Sequence, residues 1–154
     1  MKFDTLLAID CWWNLPDQIA NRINDSKIKE KLFVNTTKIH DITQPMHKVF
    51  SNAKLQNDLS KFLADCKEFT KQNGRPKRIL IAGQAWQSGI HNEAIGLLKL
   101  LPFMGMFEIY ADPHYIALGT KEINRTCTNE HIGKDSLDWQ SVDFYLWKLM
   151  PQRK

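Results

Sequence analysis

A chain of 154 residues with 43% hydrophobic and 25% charged residues can bury one real core and is too short for two comfortable ones. Its net charge of +4, with a pI near 9.0, is mildly basic and lacks the clustered Lys/Arg stripe of a dedicated nucleic-acid binder. No window approaches the ~18 apolar residues of a membrane span, and three cysteines (Cys11, Cys66, Cys127) without CxxC or Cys/His zinc spacing exclude a disulfide scaffold and a structural zinc site.

The opening MKFDTLLAID carries a charge at position 4 and has no long apolar core, so it is not expected to act as a signal peptide. A single cytoplasmic domain over 1–154 is the expectation. TLLAID (5–10) is short, apolar and ends on an aspartate, which suits a strand buried on both faces. CWWNLP follows as a loop, and PDQIANRINDSKIKE (16–30) spaces Ile19, Ile23 and Ile28 as a weak helix would. KLFVNT (31–36) reads as a second strand, and TKIHDITQPMHKVF (37–50) as loop with one short strand or turn.

AKLQNDLSKFLADCKEFTKQNG (53–74) reads as a helix, with Leu55, Leu59, Phe62, Leu63, Cys66 and Phe69 at three- and four-residue spacing and Asn73-Gly74 as its stop. Cys66 thereby belongs to the core, and the basic KQNGRPKR (71–78) is a solvated helix end and turn. RPKRILIAG (75–83) is the strongest strand signal. After the turn GQAWQSGIH (83–91), Ile90, Ala94, Leu97, Leu98 and Leu101 form one apolar helical stripe limited by Pro102. FEIYAD (107–112) is the next strand and also ends on an aspartate. YIALGTKEINRTC (115–127) reads as a further strand or hairpin, and LDWQSVDFYLWKLMP (137–151) as a terminal helix.

Strands alternating with helices predict an α/β domain with a mostly parallel sheet and helices on both faces. Ligands of such sheets bind beyond the carboxyl ends of the strands. That edge carries Asp10, Cys11, Trp12 and Trp13, then Gln84, Trp86, Gln87 and Ser88, then Asp112 and His114. Trp12, Trp13, Trp86, Gln87, Ser88, His91, Asp112 and His114 are the candidate ligand-binding residues. The turn is not a phosphate loop, since no Lys-Ser/Thr pair opens the helix and only Gly83 and Gly89 flank it. It is not a serine nucleophile elbow either, because Trp86 and Ile90 stand where that turn needs glycines. Ser88 is expected to cap the following helix. The five histidines lack HxH or HExxH spacing; Asp10, Asp112 and His114 are read as polar rim residues, and no metal or cofactor is expected. The tryptophans at this edge suit either stacking on a planar ligand or closing the top of the sheet.

Together these pieces resemble the isochorismatase-like hydrolases, the superfamily that includes nicotinamidases. The resemblance implies a three-layer α/β/α, Rossmann-like fold and covers residues 5–112, about two thirds of the chain. It places the family's catalytic aspartate at Asp10, at the end of TLLAID, and its catalytic lysine at Lys48 in HKVFSNAKL (47–55). The family's strand running into G-x-A-x-x-x-C-V aligns with RILIAGQAWQSGI without a gap, on Gly83 and Ala85. Its nucleophilic cysteine falls on Gly89. A thiolate at a helix N-terminus is the centre of that chemistry, and glycine cannot supply it.

Three readings follow. The first is a protein that keeps the fold, has lost the reaction, and binds a small molecule or a protein partner. The second is a hydrolase of amide or related bonds using Ser88 or a water activated by Asp10. The third is a structural component of a homo-oligomer or larger, viral assembly, which the small size, the tryptophans and the basic PQRK end allow. The first is favoured, because the missing cysteine removes the step on which the family's catalysis rests.

Overall fold

The fold is known from a computed structural model, which describes residues 1–12, 14–34, 53–55, 59–119 and 125–151. In chain order it runs β1 (Thr5–Ile9), α1 (Asp17–Asp25), β2 (Glu30–Val34), β3 (Ala53–Leu55), α2 (Leu59–Asn73) and β4 (Lys77–Gly83). A π-helical turn (Trp86–Ile90) leads directly into α3 (His91–Leu98), and a 3-10 turn (Leu101–Phe103) precedes β5 (Phe107–Ile116). A short helix α4 (Asn129–Gly133) and the strands β6 (Trp139–Asp143) and β7 (Leu146–Leu149) complete the described chain.

The strands form one mixed sheet in the order β3-β2-β1-β4-β5-β7-β6. β1 pairs in parallel with β2 and β4, as do β2 with β3 and β4 with β5. The β5–β7 and β6–β7 pairs are antiparallel. Every residue of β1 is buried, which is what its unbroken apolar run predicts for a strand covered on both faces. Alternation along the strand splits its side chains between two cores. Leu7 and Ile9 join a large cluster with Phe62 and Cys66 of α2 and Ala94 and Leu97 of α3. Leu6 and Ala8 join a smaller one with Ile19, Ala20 and Ile23 of α1.

Several expectations are corrected. The last segment is not a helix: 139–149 is an antiparallel hairpin that covers the outer edge of β5. Val142, Tyr145, Leu146 and Leu149 do fall at helical spacing, but Trp139, Val142, Tyr145 and Trp147 are β-favouring types. The open backbone edge of β5 gives them hydrogen bonds that an isolated helix would not. The expected helix over 53–74 starts only at Leu59, and Ala53–Leu55 is the strand β3. β5 does not end at Asp112 but runs ten residues to Ile116, so Asp112 and His114 lie within it. Leu101 is 42% exposed in the 3-10 turn and leaves the α3 stripe. Tyr115 and Ile116 complete β5, and Ala117 makes an isolated antiparallel bridge to Thr126.

Candidate functional site

From β1 the chain proceeds outward to β2 and β3, then returns to place β4 on the other side of β1. This reversal makes a topological switch point beyond the carboxyl ends of β1 and β4, the position where open α/β sheets hold ligands. Asp10 and Gln84 stand there, each one residue past its strand. Asp10 is 6% exposed and takes φ 47°, a left-handed conformation that aspartate tolerates better than most residues. Its N–H donates to the Val34 carbonyl at 2.9 Å, and its own carbonyl accepts from the Trp12 N–H at 2.8 Å. The chain therefore bends sharply over the end of the sheet. Opposite, the Gln84 N–H donates to the Ile9 carbonyl at 2.9 Å, and its side-chain amide donates to Asn14 Oδ1 at 2.7 Å.

Gly83 is required at this crossing. It sits at φ +108°, and a Cβ added there would meet the Ile9 carbonyl oxygen and lie 2.7 Å from the Ile9 nitrogen. The peptide between Gln84 and Ala85 is cis. From Ala85 the chain winds into the π turn, in which the Ile90 N–H reaches back five residues to the Ala85 carbonyl at 3.0 Å.

That turn presents Gly89 to Asp10. A Cβ built on Gly89 would strike Asp10 Oδ2 and come within 2.8 Å of the Gln84 carbonyl oxygen. The space a side chain at 89 would need is thus filled by a carboxylate on one side and fixed backbone on the other. Glu93 lies four residues further along the same helical path, so its side chain leans back over the Gly89 turn. Burial first, and the Asp10 charge second, push the Glu93 carboxyl above its ordinary value of 4.5.

The structure thus brings Asp10 and Gly89 together with Gln84, a strand-end residue of the sequence reading, and adds Glu93, which sequence reasoning passed over. Glu93 had one available signal, its four-residue spacing from Gly89 on a helix. Lys48 and Trp13 lie outside the described residues. Trp12 is 7% exposed in the loop after Asp10, and Trp86 is 1% exposed. The Trp86 ring packs on Trp139 with centroids 5.5 Å apart, inside the larger core, and its Nε1 has no hydrogen-bond partner among the described residues. Gln87 and Ser88 face outward and are exposed. Ser88 is not a cap, because α3 continues directly from the π turn and neither start carries a side-chain cap hydrogen bond. Asp112 and His114 form a grouping of their own. Asp112 Oδ1 accepts from the His114 N–H at 2.9 Å and lies 2.9 Å from His114 Nδ1, while Arg22 of α1 donates to the His114 carbonyl at 2.8 Å.

His91 joins two residues not foreseen, Ser136 and Asp135. Its Nε2 lies 3.1 Å from Ser136 Oγ and 3.2 Å from Asp135 Oδ1, and Trp139 Nε1 donates to Asp135 Oδ2 at 2.8 Å. The residue types are those of a catalytic triad, but the geometry is not. Serine and carboxylate share one ring nitrogen, so an Nε2 that donates to Asp135 cannot accept the serine proton. The cluster ties the α4–β6 connection to the start of α3.

The cysteines offer no substitute nucleophile. Burial pushes the Cys66 thiol up to about 11 and the Cys127 thiol up to about 12, and it raises Cys11 as well, with the Asp10 charge adding to the shift. Among the described residues this end of the sheet presents the Asp10 and Glu93 carboxyl groups and the Gln84 carbonyl oxygen, which can accept hydrogen bonds or hold a proton. Among the described residues no group of three or more His, Cys, Asp or Glu side chains has the arrangement of a metal site. No protein-family model matches the chain, and neither a curated protein nor a solved structure matches it.

Proposed function

We propose that the chain is a three-layer α/β/α, Rossmann-like protein of isochorismatase type that has given up covalent hydrolysis and binds a small molecule or a protein partner at the Asp10 site. One observation carries this reading: the Asp10 carboxylate and the Gln84 carbonyl occupy the volume a residue-89 side chain would need. The position of the family nucleophile is closed as well as empty. Raised thiols at Cys11, Cys66 and Cys127 support the same conclusion, and so does the outward-facing, uncapped Ser88. Asp10, with Trp12 beside it, is then a recognition group that accepts hydrogen bonds from an amide, amine or hydroxyl on the ligand.

The test is an assay of amide and vinyl-ether substrates with the wild-type protein, Asp10→Asn and Glu93→Gln. Absence of turnover in all three is the expected result. A second reading has one observation in its favour, the Glu93 carboxyl pushed above its ordinary value by burial and by the Asp10 charge. A protonated acid next to an ionised one is the arrangement that activates water. Turnover that disappears in both variants, while their thermal unfolding stays cooperative, would establish that reading and overturn the first.

A further inference from the structure

At the opposite end of the sheet lies a groove with a volume of about 750 Å³, within the range of roughly 300–1,000 Å³ typical of small-molecule sites. It passes the amino ends of β1, β2 and β4 at Asp4, Glu30 and Lys77, and climbs the α1 side of the sheet. Its apolar surface comes from Phe3, Ile28, Phe69, Leu80 and Tyr115. Leu80 is buried and Phe3 is fixed edge-on against Tyr110 with ring centroids 5.5 Å apart, so part of the floor is rigid.

The charges sort into two groups. Asp4 is engaged by the Arg75 guanidinium through bonds of 2.8 Å to each carboxylate oxygen, and Lys77 Nζ meets Glu30 Oε1 at 2.7 Å. Asp112 is occupied by His114 at 2.9 Å. Lys2, Lys27 and Lys29 also line the groove and are exposed. None of these three has an ion-pair partner among the described residues. Asp4 and Glu30 are therefore paired with cations, Asp112 is hydrogen-bonded by His114, and the three lysines stand on the rim of an aromatic and aliphatic floor.

We propose that this groove is a binding site for a small amphipathic anion, a planar apolar body carrying one carboxylate, with the ring system against Phe3, Leu80 and Tyr115 and the carboxylate among Lys2, Lys27 and Lys29. The complementarity is of two kinds. Apolar area of this sort is stabilised by burial of a flat ring, and three uncompensated ammonium groups discriminate an acid from its neutral amide. This groove is independent of the Asp10 site, which lies beyond the other ends of the same strands.

The experiment is titration calorimetry with 2-naphthoate and its neutral counterpart 2-naphthamide. Saturable one-to-one binding of naphthoate is expected, with naphthamide about tenfold weaker, a difference equivalent to ~1.4 kcal/mol. The triple variant Lys2→Gln/Lys27→Gln/Lys29→Gln is expected to lose that preference, whereas Lys67→Gln/Lys71→Gln/Lys99→Gln, the same loss of three charges at exposed positions outside the groove, keeps it. These lysines are exposed, so the variant folds, and circular dichroism verifies it. Absence of saturable naphthoate binding, equal affinity for the amide, or a triple variant that binds naphthoate as wild type does would each overturn the proposal. None of these outcomes depends on whether the Asp10 site binds or hydrolyses anything.

Discussion

The two ends of the sheet surround buried acids with different neighbours. At the amino ends Asp4 is paired with Arg75, and Glu30 with Lys77 and with the Thr5 hydroxyl at 2.6 Å. At the carboxyl ends a buried aspartate in a left-handed conformation faces a glycine with no room to spare, and the glutamate that leans over it is raised by burial and by that same aspartate. Matched charges of the first kind hold strands in register. Like charges crowded together survive only where the surrounding structure leaves them no alternative, and such places concentrate function.

The sharpest way to break this contrast is at the crossing itself. Gly83→Ala would drive a methyl into the Ile9 backbone of a central strand, which has no freedom to retreat. A loss of about 3–4 kcal/mol is expected in urea denaturation, among the large single-site effects. A loss below ~1 kcal/mol would show that the sheet end is pliable and that the Asp10 site has no fixed shape.

Within one helical path, two glycines separate crowding from helix propensity. Gly89→Ala meets Asp10 Oδ2 and the Gln84 carbonyl, whereas a Cβ at Gly96 has nothing within 4 Å. The first substitution is expected to cost about 2–3 kcal/mol despite alanine's better helix propensity, and the second to stabilise by ~0.5–1 kcal/mol. Gly89→Cys should be destabilised like Gly89→Ala and should gain no amidase activity, because its side chain has no place beside Asp10. Equal effects at 89 and 96 would remove the observation on which the proposed function rests.

At the other end, Lys77→Met tests the matched pair. The lysine side chain is 8% exposed but its partner Glu30 is 41% exposed, so the carboxylate left behind is largely rehydrated. A loss of about 1–2 kcal/mol is expected by denaturation, below the ~3–5 kcal/mol of breaking a fully buried pair.

What the sequence disclosed about these two ends was uneven, for physical reasons. The apolar runs of β1 and β4 and the α3 stripe at Ala94, Leu97 and Leu98 are local signals, and all three elements formed where they were expected. The 137–151 segment misled because its helical spacing coexisted with strand-favouring aromatic residues. Only the open edge of β5, more than twenty residues away in sequence, decides between the two. At the site, Asp10 could be singled out from its position after a strand, and Gly89 from the resemblance that sets a cysteine at that place. That Asp10 fills the very space of a residue-89 side chain depends on a π turn and a left-handed aspartate, neither of which leaves a mark in residue order. The lysines of the groove are scattered over positions 2, 27 and 29, and become a cluster only when β1 and the start of β2 lie side by side.

The smallest effect, and the one that reads both ends in a single experiment, is the sign of the pH dependence. Burial would raise the Asp4 carboxyl, but the Arg75 hydrogen bonds and the Arg78 N–H outweigh it and hold the group below 3.8. A lowered acid contributes stability that is fully present above 3.8 and is lost as pH falls through the folded-state value, since the unfolded chain then binds the proton more readily. Glu93 is raised above 4.5, so the folded state is the one that binds the proton more readily. Its contribution has the opposite slope: stability declines as pH rises from 4.5 to the folded-state value and is constant beyond it. Asp4→Asn should therefore flatten the acid-side loss, and Glu93→Gln should flatten the decline on the other side and stabilise the protein at neutral pH, each by less than the glycine effects. The measurement is denaturant unfolding across the acid range for wild type and both variants. If the two substitutions shift the profile in the same direction, burial and the Asp10 charge do not hold Glu93 above its ordinary value.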